Sequence, residues 1–450
     1  MAKDKKAAKE LTIEEKLAQA LVPVEEQPYK IPENWCWTTV DKVSRVITGS
    51  TPSKKNLEYY GTEFPFFKPA DLDAGRHVYK ASEYLSEEGK KVSRIIPTKS
   101  TVVCCIGSIG KCGYLETEGT TNQQINSAIP KINSLYLYYY MNTDNFINQL
   151  WKKASATTIA IVNKAKMETC MFPLAPSGEQ QRIVDCIESI FFRLDEAKEK
   201  AQAVVDGFEL RKSAILHKAF TGELTKQWRE KQGLTLKSWK HKKFSEICDV
   251  VRGGSPRPAG NPKFYGGSIP FMKVADITQN NSPFVSSTKH TIKEEGLKKT
   301  RMVAPNTLLL TNSGATLGVP AITLIQTTFN DGIAAFLNLK SDNLLFYYYF
   351  WMSKTNELRG INKGAAQPNL NTDIIGAIEI DIPKEDEQTQ IVMILKYLIG
   401  KEEQVKEAAE SVIEKIETMK KTVLACAFRG KLGTNDLSEV KAVEVLKQVL

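Results

Sequence analysis

The sequence predicts an α/β (α+β) fold in two copies, joined by two long antiparallel coiled-coil helices with pseudo-two-fold symmetry. Three observations lead to this prediction: a long internal repeat, a heptad pattern that follows each copy, and short extended segments closed by glycine turns within each copy. The chain of 450 residues, 42% of them hydrophobic, is also long enough to build more than one core.

The repeat is visible in one pair of segments. "GSTPSKKNLEYYGTEFPFFKPADL" (49–72) returns as "GGSPRPAGNPKFYGGSIPFMKVADI" (253–277). Further along, "EQQRIV" at 179 matches "EQTQIV" at 387, and "AFTGEL" at 219 matches "AFRGKL" at 427. A period near 208 residues is far longer than that of solenoids or propellers. The repeat therefore indicates a duplicated domain.

A heptad pattern of apolar residues follows each copy and predicts a helix of about 44 residues, about 65 Å long. Arg211 and Glu402 interrupt the two apolar seams. Because the order is globule, helix, globule, helix, the simplest closed arrangement packs the helices antiparallel. An ordinary helical core remains the alternative. The residues predicted to pack helix against helix are Ile187, Ile190, Leu194, Val204, Phe208, Leu395, Leu398, Val405, Val412 and Ile416.

These patterns divide the chain into seven segments. They are a charged helical extension (1–29), a first globular domain (30–177), a first spacer helix (178–225), a linker (226–236), a second globular domain (237–384), a second spacer helix (385–433) and a tail (434–450).

Within the globules, "STVVCCIGS" (100–108) and "NTLLLTNSG" (306–314) predict buried strands, and the aromatic runs "YLYYYMN" and "FYYYFWM" predict core helices. The eight cysteines show no C-x-x-C spacing and the four histidines are scattered, which argues against metal catalysis. "CCIGSIGKC" (104–112) departs from a phosphate-binding loop at two required positions, so we interpret it as a structural turn. Because no secretory signal and no apolar run of membrane-spanning length occurs, we expect a cytoplasmic protein without membrane association.

The net charge of +9 is concentrated in the two globules. Residues 30–175 hold 18 Lys and Arg against 13 Asp and Glu, and residues 237–380 hold 17 against 10. Several loops rich in Gly and Pro also carry Lys, Arg and Asn, which can contact phosphates and base edges. This combination favours a polyanion such as DNA as the partner of both globules.

The order of these motifs resembles the specificity subunit of Type I restriction-modification systems. The likeness spans residues from about 30 to 433 and includes "NWCW" and "KSWK" near the start of each half and the "EQ..IV" and "AF.G.L" signatures. The second half also contains "QPNL" (367–370), a hallmark of that family, whereas the first half has Ile159, Ala160 and Ile161 at the corresponding place.

The resemblance implies a non-catalytic subunit in which each globule is a target recognition domain that reads one half of an asymmetric bipartite DNA site. The helices separate the two domains and dock two methyltransferase (M) subunits, which restriction (R) subunits join. This chain is then expected to bind no cofactor, while S-adenosylmethionine, ATP and Mg²⁺ belong to the partners. The predicted DNA-contacting residues are Ser50, Lys54, Lys55, Lys68, Arg76, Lys111, Asn122, Gln123, Ser255, Arg257, Asn261, Lys273, Lys298, Lys299, Arg301, Asn312, Asn330, Lys363, Gln367 and Asn369.

Two other functions remain open at this point. A coiled-coil assembly scaffold without DNA recognition would explain the heptads but not the basic charge of both globules. A self-contained nucleotide-dependent enzyme would need a nucleotide motif that the sequence does not supply.

Overall fold

The computed structural model describes residues 11–155, 159–314, 316–339, 341–361 and 370–450. The chain forms two compact units. Unit 1 contains Met1–Ala201 and Ser411–Leu450, and unit 2 contains Gln202–Glu410. Each unit thus combines one globular segment with parts of both helical segments.

The elements of the first half begin with a capped helix and alternate short strands with short helices. They are α1 (Ile13–Ala20), β1 (Cys36–Thr39), α2 (Val40–Val43), β2 (Ser44–Thr48), β3 (Tyr60–Gly61), β4 (Phe64–Phe67), β5 (Glu83–Leu85), α3 (Glu87–Lys91), β6 (Thr101–Cys104), β7 (Cys112–Tyr114), β8 (Thr120–Thr121), β9 (Ile125–Pro130), α4 (Ser134–Met141), α5 (Asp144–Lys153), α6 (Lys164–Glu168), β10 (Met171–Leu174) and α7 (Ser177–Asp206).

The second half begins with two helices and then repeats this order of short strands and helices. They are α8 (Phe208–Phe220), α9 (Lys226–Lys231), β11 (Lys240–Lys243), α10 (Phe244–Ile247), β12 (Asp249–Arg252), β13 (Tyr265–Met272), α11 (Val274–Thr278), β14 (Phe284–Val285), β15 (His290–Ile292), α12 (Glu294–Leu297), β16 (Arg301–Val303), β17 (Thr307–Thr311), β18 (Pro320–Thr323), β19 (Thr327–Phe329), β20 (Ile333–Leu337), α13 (Leu344–Ile361), α14 (Thr372–Ala377), β21 (Glu379–Ile382), α15 (Glu385–Ala427) and α16 (Ala442–Val449).

Each unit contains three corresponding sheets, and the largest sheet of unit 2 has one additional strand, β14. In unit 1 they have the strand orders β2-β9-β6-β7, β3-β5-β4-β8 and β1-β10. In unit 2 they have the orders β12-β20-β17-β18-β14, β15-β13-β19-β16 and β11-β21. The predicted mixed helix-and-sheet fold in two copies is therefore confirmed, including buried strands at β6 and β17.

The aromatic runs lie in α4 and at the start of α13, and they are core. Tyr136 and Tyr140 are fully buried, and Trp351 packs against Phe244 with ring centroids 4.6 Å apart. Their rings are therefore not available as platforms for stacking on bases.

The first helical segment is interrupted at one residue, Gly207, between α7 and α8. Helical hydrogen bonds continue across it, because the Gly207 N–H donates to the Ala203 carbonyl and the Arg211 N–H donates to the Gly207 carbonyl, both at 3.1 Å. The Arg211 side chain bends back there and donates from Nη2 to the Val204 carbonyl at 2.9 Å. A Cβ at position 207 would lie 2.5 Å from Arg211 Nη1, so the glycine makes room for this contact. α15, in contrast, continues for 43 residues.

The two helical segments run antiparallel within each unit. In unit 1, Lys198 pairs with Glu417 and Lys420 with Asp195, so residue numbers rise on one helix as they fall on the other. In unit 2, Arg211 Nε donates to Glu402 Oε2 at 2.7 Å. The two residues that interrupt the heptads are therefore each other's partner.

The second heptad seam was predicted one residue too early on α15. Ile187, Phe208, Leu395 and Ile416 are buried, and Ile190, Leu194, Val204 and Leu398 are half-buried. Val405 and Val412, however, are 49% and 42% exposed and do not pack between the helices. The contacts instead follow the next position, where the Lys406 ammonium lies 5.3 Å from the centre of the Phe208 ring and that of Lys420 lies 5.0 Å from the Phe191 ring. Lysines fit this line because their aliphatic stems pack while their charged ends reach an aromatic face or a carboxylate.

The glutamate of each "EQ..IV" motif is buried and joins three segments of its unit. In unit 1, Glu179 Oε2 accepts from Trp35 Nε1 at 2.7 Å and from Asn435 Nδ2 at 2.8 Å. Residues 434 and 435 follow α15, so the tail is part of unit 1.

In unit 2, Glu387 occupies the corresponding place. Its Oε2 accepts from Trp239 Nε1 at 3.0 Å, and its Oε1 accepts from Thr225 Oγ1 at 2.7 Å and from Arg229 Nη1 at 2.5 Å. The segment that follows α8 thus closes unit 2. In the part of the chain that the structure covers, no helix is both long and apolar enough to cross a bilayer.

Candidate nucleic-acid interface

In unit 1, one edge of the sheet β2-β9-β6-β7 carries most of the predicted contact residues. Because neighbouring strands are antiparallel, β2 and β6 end at the same edge at which β9 and β7 begin. The connections 49–59, 105–111 and 122–124 therefore meet there. We call these residues the loop edge of unit 1.

Unit 2 repeats this arrangement in the sheet β12-β20-β17-β18. β12 and β17 end at the edge where β20 and β18 begin. The connections 253–264, 312–314, 316–319 and 330–332 form the loop edge of unit 2. The segment 298–301 joins it, since a Cβ on Gly254 would lie 2.3 Å from the Lys299 carbonyl oxygen.

The first loop of each edge is held by the residues that the repeat shares. A Cβ on Gly49 would lie 2.2 Å from the Asn122 carbonyl oxygen, and one on Gly253 would lie 2.3 Å from that of Asn330, so a larger residue would displace the loop. Tyr60 and Tyr265 each donate a hydroxyl hydrogen bond of 2.8 Å to a proline carbonyl of the same loop. The shared residues therefore build the scaffold.

The two halves also share a Lys-x-x-Asp segment, 68–71 in unit 1 and 273–276 in unit 2, which is part of this scaffold. Asp71 accepts from the backbone N–H groups of Lys68 at 2.7 Å and Ser82 at 2.8 Å. Asp276 accepts from those of Lys273 at 2.8 Å and Lys289 at 3.1 Å. The aspartate thus fixes the turn after β4 or β13, and the lysine stands at the end of the strand beside the loop edge.

Among the predicted residues of unit 1, Lys54, Lys55 and Gln123 are exposed on the loop edge and Ser50 is half-buried. The Thr51 hydroxyl donates to the amide oxygen of Gln123. Two further lysines are already paired, Lys111 with Asp73 at 2.7 Å and Lys68 with Glu83.

Arg76 is a correction to the prediction. Its guanidinium pairs with Glu116 and with Glu188 of α7 and lies 4.6 Å from the centre of the Tyr114 ring. Tyr114 pairs with Thr101, at the end of β6 that is opposite the loop edge. Arg76 therefore binds the globule to the helix and is turned away from the proposed DNA-contacting loops.

In unit 2, Arg257, Lys298, Lys299 and Arg301 are exposed on the loop edge. Ser255 Oγ donates to Asp331 Oδ1 at 2.6 Å, and Arg257 Nη2 lies 3.4 Å from Asp331 Oδ2. Burial alone would raise the pKa of Asp331, but the Ser255 hydroxyl and the nearby arginines lower it below its usual value. Asp331 is therefore an ionised carboxylate among cations.

The remaining predicted residues of unit 2 have different positions. Asn261 accepts from the Lys263 N–H at 2.9 Å and shapes the loop, and Lys273 is half-buried at its margin. Asn330 is half-buried in the turn before β20. Lys363, Gln367 and Asn369 lie outside the described residues.

Two asparagines are further corrections. Asn122 is buried and its amide donates to Gln124 at 3.0 Å, and Asn312 is completely buried. Their backbones are tied to neighbouring segments, since the Asn122 N–H donates to the Phe67 carbonyl at 3.2 Å and the Asn312 N–H donates to the Gly332 carbonyl at 2.9 Å. Their side chains therefore do not reach a ligand outside the protein.

Three edge residues were missed by the sequence analysis. Arg94 Nη1 donates to the Thr48 carbonyl at 2.7 Å, and Arg252 Nε donates to the Asp331 carbonyl at 2.7 Å. Arg94 is the counterpart of Arg301, which donates from Nε to the Arg252 carbonyl at 3.1 Å. The repeat alignment of "SRII" (93–96) with "TRMV" (300–303) carried this signal. Asp331 had no such signal, because its counterpart is Gln123.

Two globular units with equivalent loop edges, each rich in exposed cations, define a duplicated polyanion-binding protein. A family model described as the Type I restriction modification DNA specificity domain matches residues 32–204 and again residues 237–415. These matches cover well over half of the chain. The chain belongs to the Type I restriction-modification DNA specificity family and carries its domain twice, as the sequence predicted.

Individual relatives agree with this assignment. The chain is 26% identical over 311 residues to the Type I restriction enzyme MjaIX specificity subunit of Methanocaldococcus jannaschii, covering 67% of this chain and 71% of that protein. It is 19% identical over 442 residues to the EcoKI specificity subunit of Escherichia coli K12, covering 90% of each.

Solved structures share the fold. The HsdS subunit of Thermoanaerobacter tengcongensis superposes with a TM-score of 0.61 at 19% identity, covering 91% of this chain and all of that one. A chain from a structure of type I R-M complex assembly and conformational transition gives a TM-score of 0.70 at 18% identity, with 90% and 100% coverage.

Proposed function

We propose that this chain is the DNA-reading subunit of a Type I restriction-modification complex, that it binds double-stranded DNA through the two loop edges, and that it carries out no chemistry itself. The observation that carries the proposal is the pair of loop edges, which share a scaffold but differ in exposed side chains. The fixed Gly, Tyr and Asp residues hold the loops, while Lys54 and Lys55 in unit 1 and Arg257 and Lys298 in unit 2 remain exposed.

These exposed groups suit two tasks. Lysines neutralise phosphates without regard to sequence, whereas Arg and Gln can form paired hydrogen bonds with base edges in the major groove. Because the two edges carry different side chains on one scaffold, they would read different sequences. The target is then an asymmetric bipartite site.

The chemistry would be supplied by partners in the cytoplasm. Methylation of adenine N6 requires a base turned out of the stack into a catalytic pocket, which we assign to two methyltransferase subunits that use S-adenosylmethionine. ATP and Mg²⁺ would act on the restriction subunits. The surface we assign to the methyltransferases is the outer face of the helices, where Tyr397 and Val405 in unit 2 and Val412 and Met419 in unit 1 are exposed.

The test is DNA binding by the reconstituted complex at several salt concentrations. Charge reversal at Lys54, Lys55 and Arg257 should weaken binding, and each lost phosphate contact should reduce the slope of log affinity against log salt by about 0.9. Reversal of Lys30, Lys231 and Lys237, exposed lysines outside the loop edges, serves as the matched control.

Equal effects of the two triple variants would exclude the loop edges as the DNA surface. If binding by the wild-type complex showed no dependence on salt, the assembly scaffold without DNA recognition would be the better description.

A further inference from the structure

One position differs between the two loop edges in a way that bears on which bases are read. Gln123 and Asp331 occupy the same place in the turns before β9 and β20, where the Ile125 and Ile333 N–H groups each donate to the asparagine carbonyl three residues earlier at 3.1 Å. Each side chain accepts a hydroxyl hydrogen bond from the first loop of its edge. Thr51 holds the Gln123 amide, and Ser255 holds the Asp331 carboxylate at 2.6 Å.

The two loop edges also differ in the number of arginines that contact them. All four arginines of residues 237–384 contact the loop edge of unit 2. Arg252 and Arg257 bind the backbone and the carboxylate of Asp331, Arg301 binds the Arg252 carbonyl, and Arg359 donates from Nε to the Leu317 carbonyl at 3.0 Å.

Unit 1 offers one arginine at the equivalent edge. Residues 30–177 contain Arg45, Arg76 and Arg94. Arg94 lies at the loop edge, and Arg76 is bound to Glu188. Arg45 pairs with Ile129 near the other end of β2.

Three of the four arginines at the loop edge of unit 2 are anchored by the same kind of contact. Arg252, Arg301 and Arg359 each donate to a backbone carbonyl through Nε. This contact orients the planar guanidinium and uses one of its five N–H groups, so the terminal amino groups retain donors for a second partner. Paired donors of this kind match O6 and N7 of guanine, a carboxylate accepts from N4 of cytosine, and a glutamine amide matches N6 and N7 of adenine.

We infer that the half-site read by unit 2 is richer in G·C pairs than the half-site read by unit 1, and that Gln123 and Asp331 are specificity-determining residues that favour an A·T and a G·C pair respectively. The inference rests on the proposed function, because it assigns base preferences to the same two edges. A competing role for the unit 2 arginines is to bind phosphates, which would add affinity but no sequence information.

The experiment determines the methylated motif in cells that express the complete system. Methylated adenines are mapped by single-molecule sequencing for the wild-type chain and for Arg301→Gln, Arg257→Gln and Gln123→Ala, with Arg45→Gln as the arginine control away from the edge. We expect two half-sites of unequal G·C content. The two unit 2 variants should relax G·C positions in the richer half, and Gln123→Ala should relax an A·T position in the other half, each by roughly 5- to 150-fold.

Thermal denaturation of each variant separates relaxed reading from unfolding, and Arg257→Gln provides the milder test because its side chain is highly exposed. The inference is overturned if the half relaxed by the unit 2 variants is not the richer in G·C, or if those variants lower methylation uniformly with the motif intact. A motif that persists without the gene would instead refute the proposed function.

Discussion

The buried carboxylate of Glu387 gives a sharp stability prediction for unit 2. Glu387→Ala removes the acceptor for Thr225, Trp239 and Arg229 at once. Arg229 and Glu387 are 5% and 1% exposed, so the substitution leaves a buried guanidinium without its counter-ion. Breaking a buried ion pair from one side costs about 3 to 5 kcal/mol. For a domain of this size each kcal/mol lowers Tm by about 2 to 4 °C, so we expect a decrease of roughly 6 to 20 °C.

Differential scanning calorimetry of the purified chain measures this effect, with limited proteolysis of residues 225–236 as a local readout. Two variants provide the comparison. Glu407→Ala replaces an exposed glutamate of the same helix and should leave Tm within about 2 °C. Glu179→Gln in unit 1 should cost about 1 to 3 kcal/mol, because its hydrogen-bonding partners are neutral. If Glu387→Ala destabilised no more than Glu407→Ala, the carboxylate would not join the three segments as described.

Three further predictions concern other parts of the structure. In urea denaturation, Ile416→Ala should destabilise the chain by about 2 to 4 kcal/mol, whereas Val412→Ala on the exposed side of the same helix should change stability by less than about 1 kcal/mol. Equal losses of stability would mean that Val412 packs between the helices, as the heptad pattern predicted. Burial would raise the pKa of Glu188, but hydrogen bonds from Tyr139 at 2.6 Å and from Arg76 lower it below 4.5. The ionised carboxylate therefore stabilises the folded state at pH values above the pKa that Glu188 has in the unfolded chain. The stability advantage of the wild type over Glu188→Gln should shrink as pH falls below about 4.5. A constant difference in the free energy of unfolding down to about pH 3 would contradict this. Asp331→Asn removes the charge that holds Arg257 and should speed proteolytic cleavage in residues 253–264, while Asp342→Asn, a change outside the loop edges, should leave the cleavage rate unaltered.

The repeat made the duplicated fold predictable, since the glycine, tyrosine and aspartate of each copy keep their spacing and turn out to hold the loops. The loop edges were predictable in part. Lys54, Lys55, Arg257 and Arg301 stood in polar loops and are exposed, but Asn122 and Asn312 stood in equally polar turns and are buried. Composition does not distinguish a side chain on a turn from one beneath it, because that depends on which strands the turn joins.

Other features depended on contacts between distant segments. Arg76 resembled a surface cation until Glu188, more than a hundred residues away, was found beside it. Likewise, the "EQ..IV" motif was recognised as a repeat, but the role of its glutamate depends on Trp35 and Asn435 in one unit and on Arg229 in the other. The heptad pattern gave one helix seam and misplaced the second, since the lysines at 406 and 420 that occupy that line are not apolar.

The DNA-reading role is tested most directly by single-molecule sequencing of DNA from cells with and without this gene, in the presence of its methyltransferase partner. If this chain specifies the DNA site, an asymmetric bipartite N6-methyladenine motif should disappear with the gene and return when the gene is restored. Unchanged adenine methylation in a host whose methyltransferase is demonstrably active would contradict the claim that this chain specifies the DNA site.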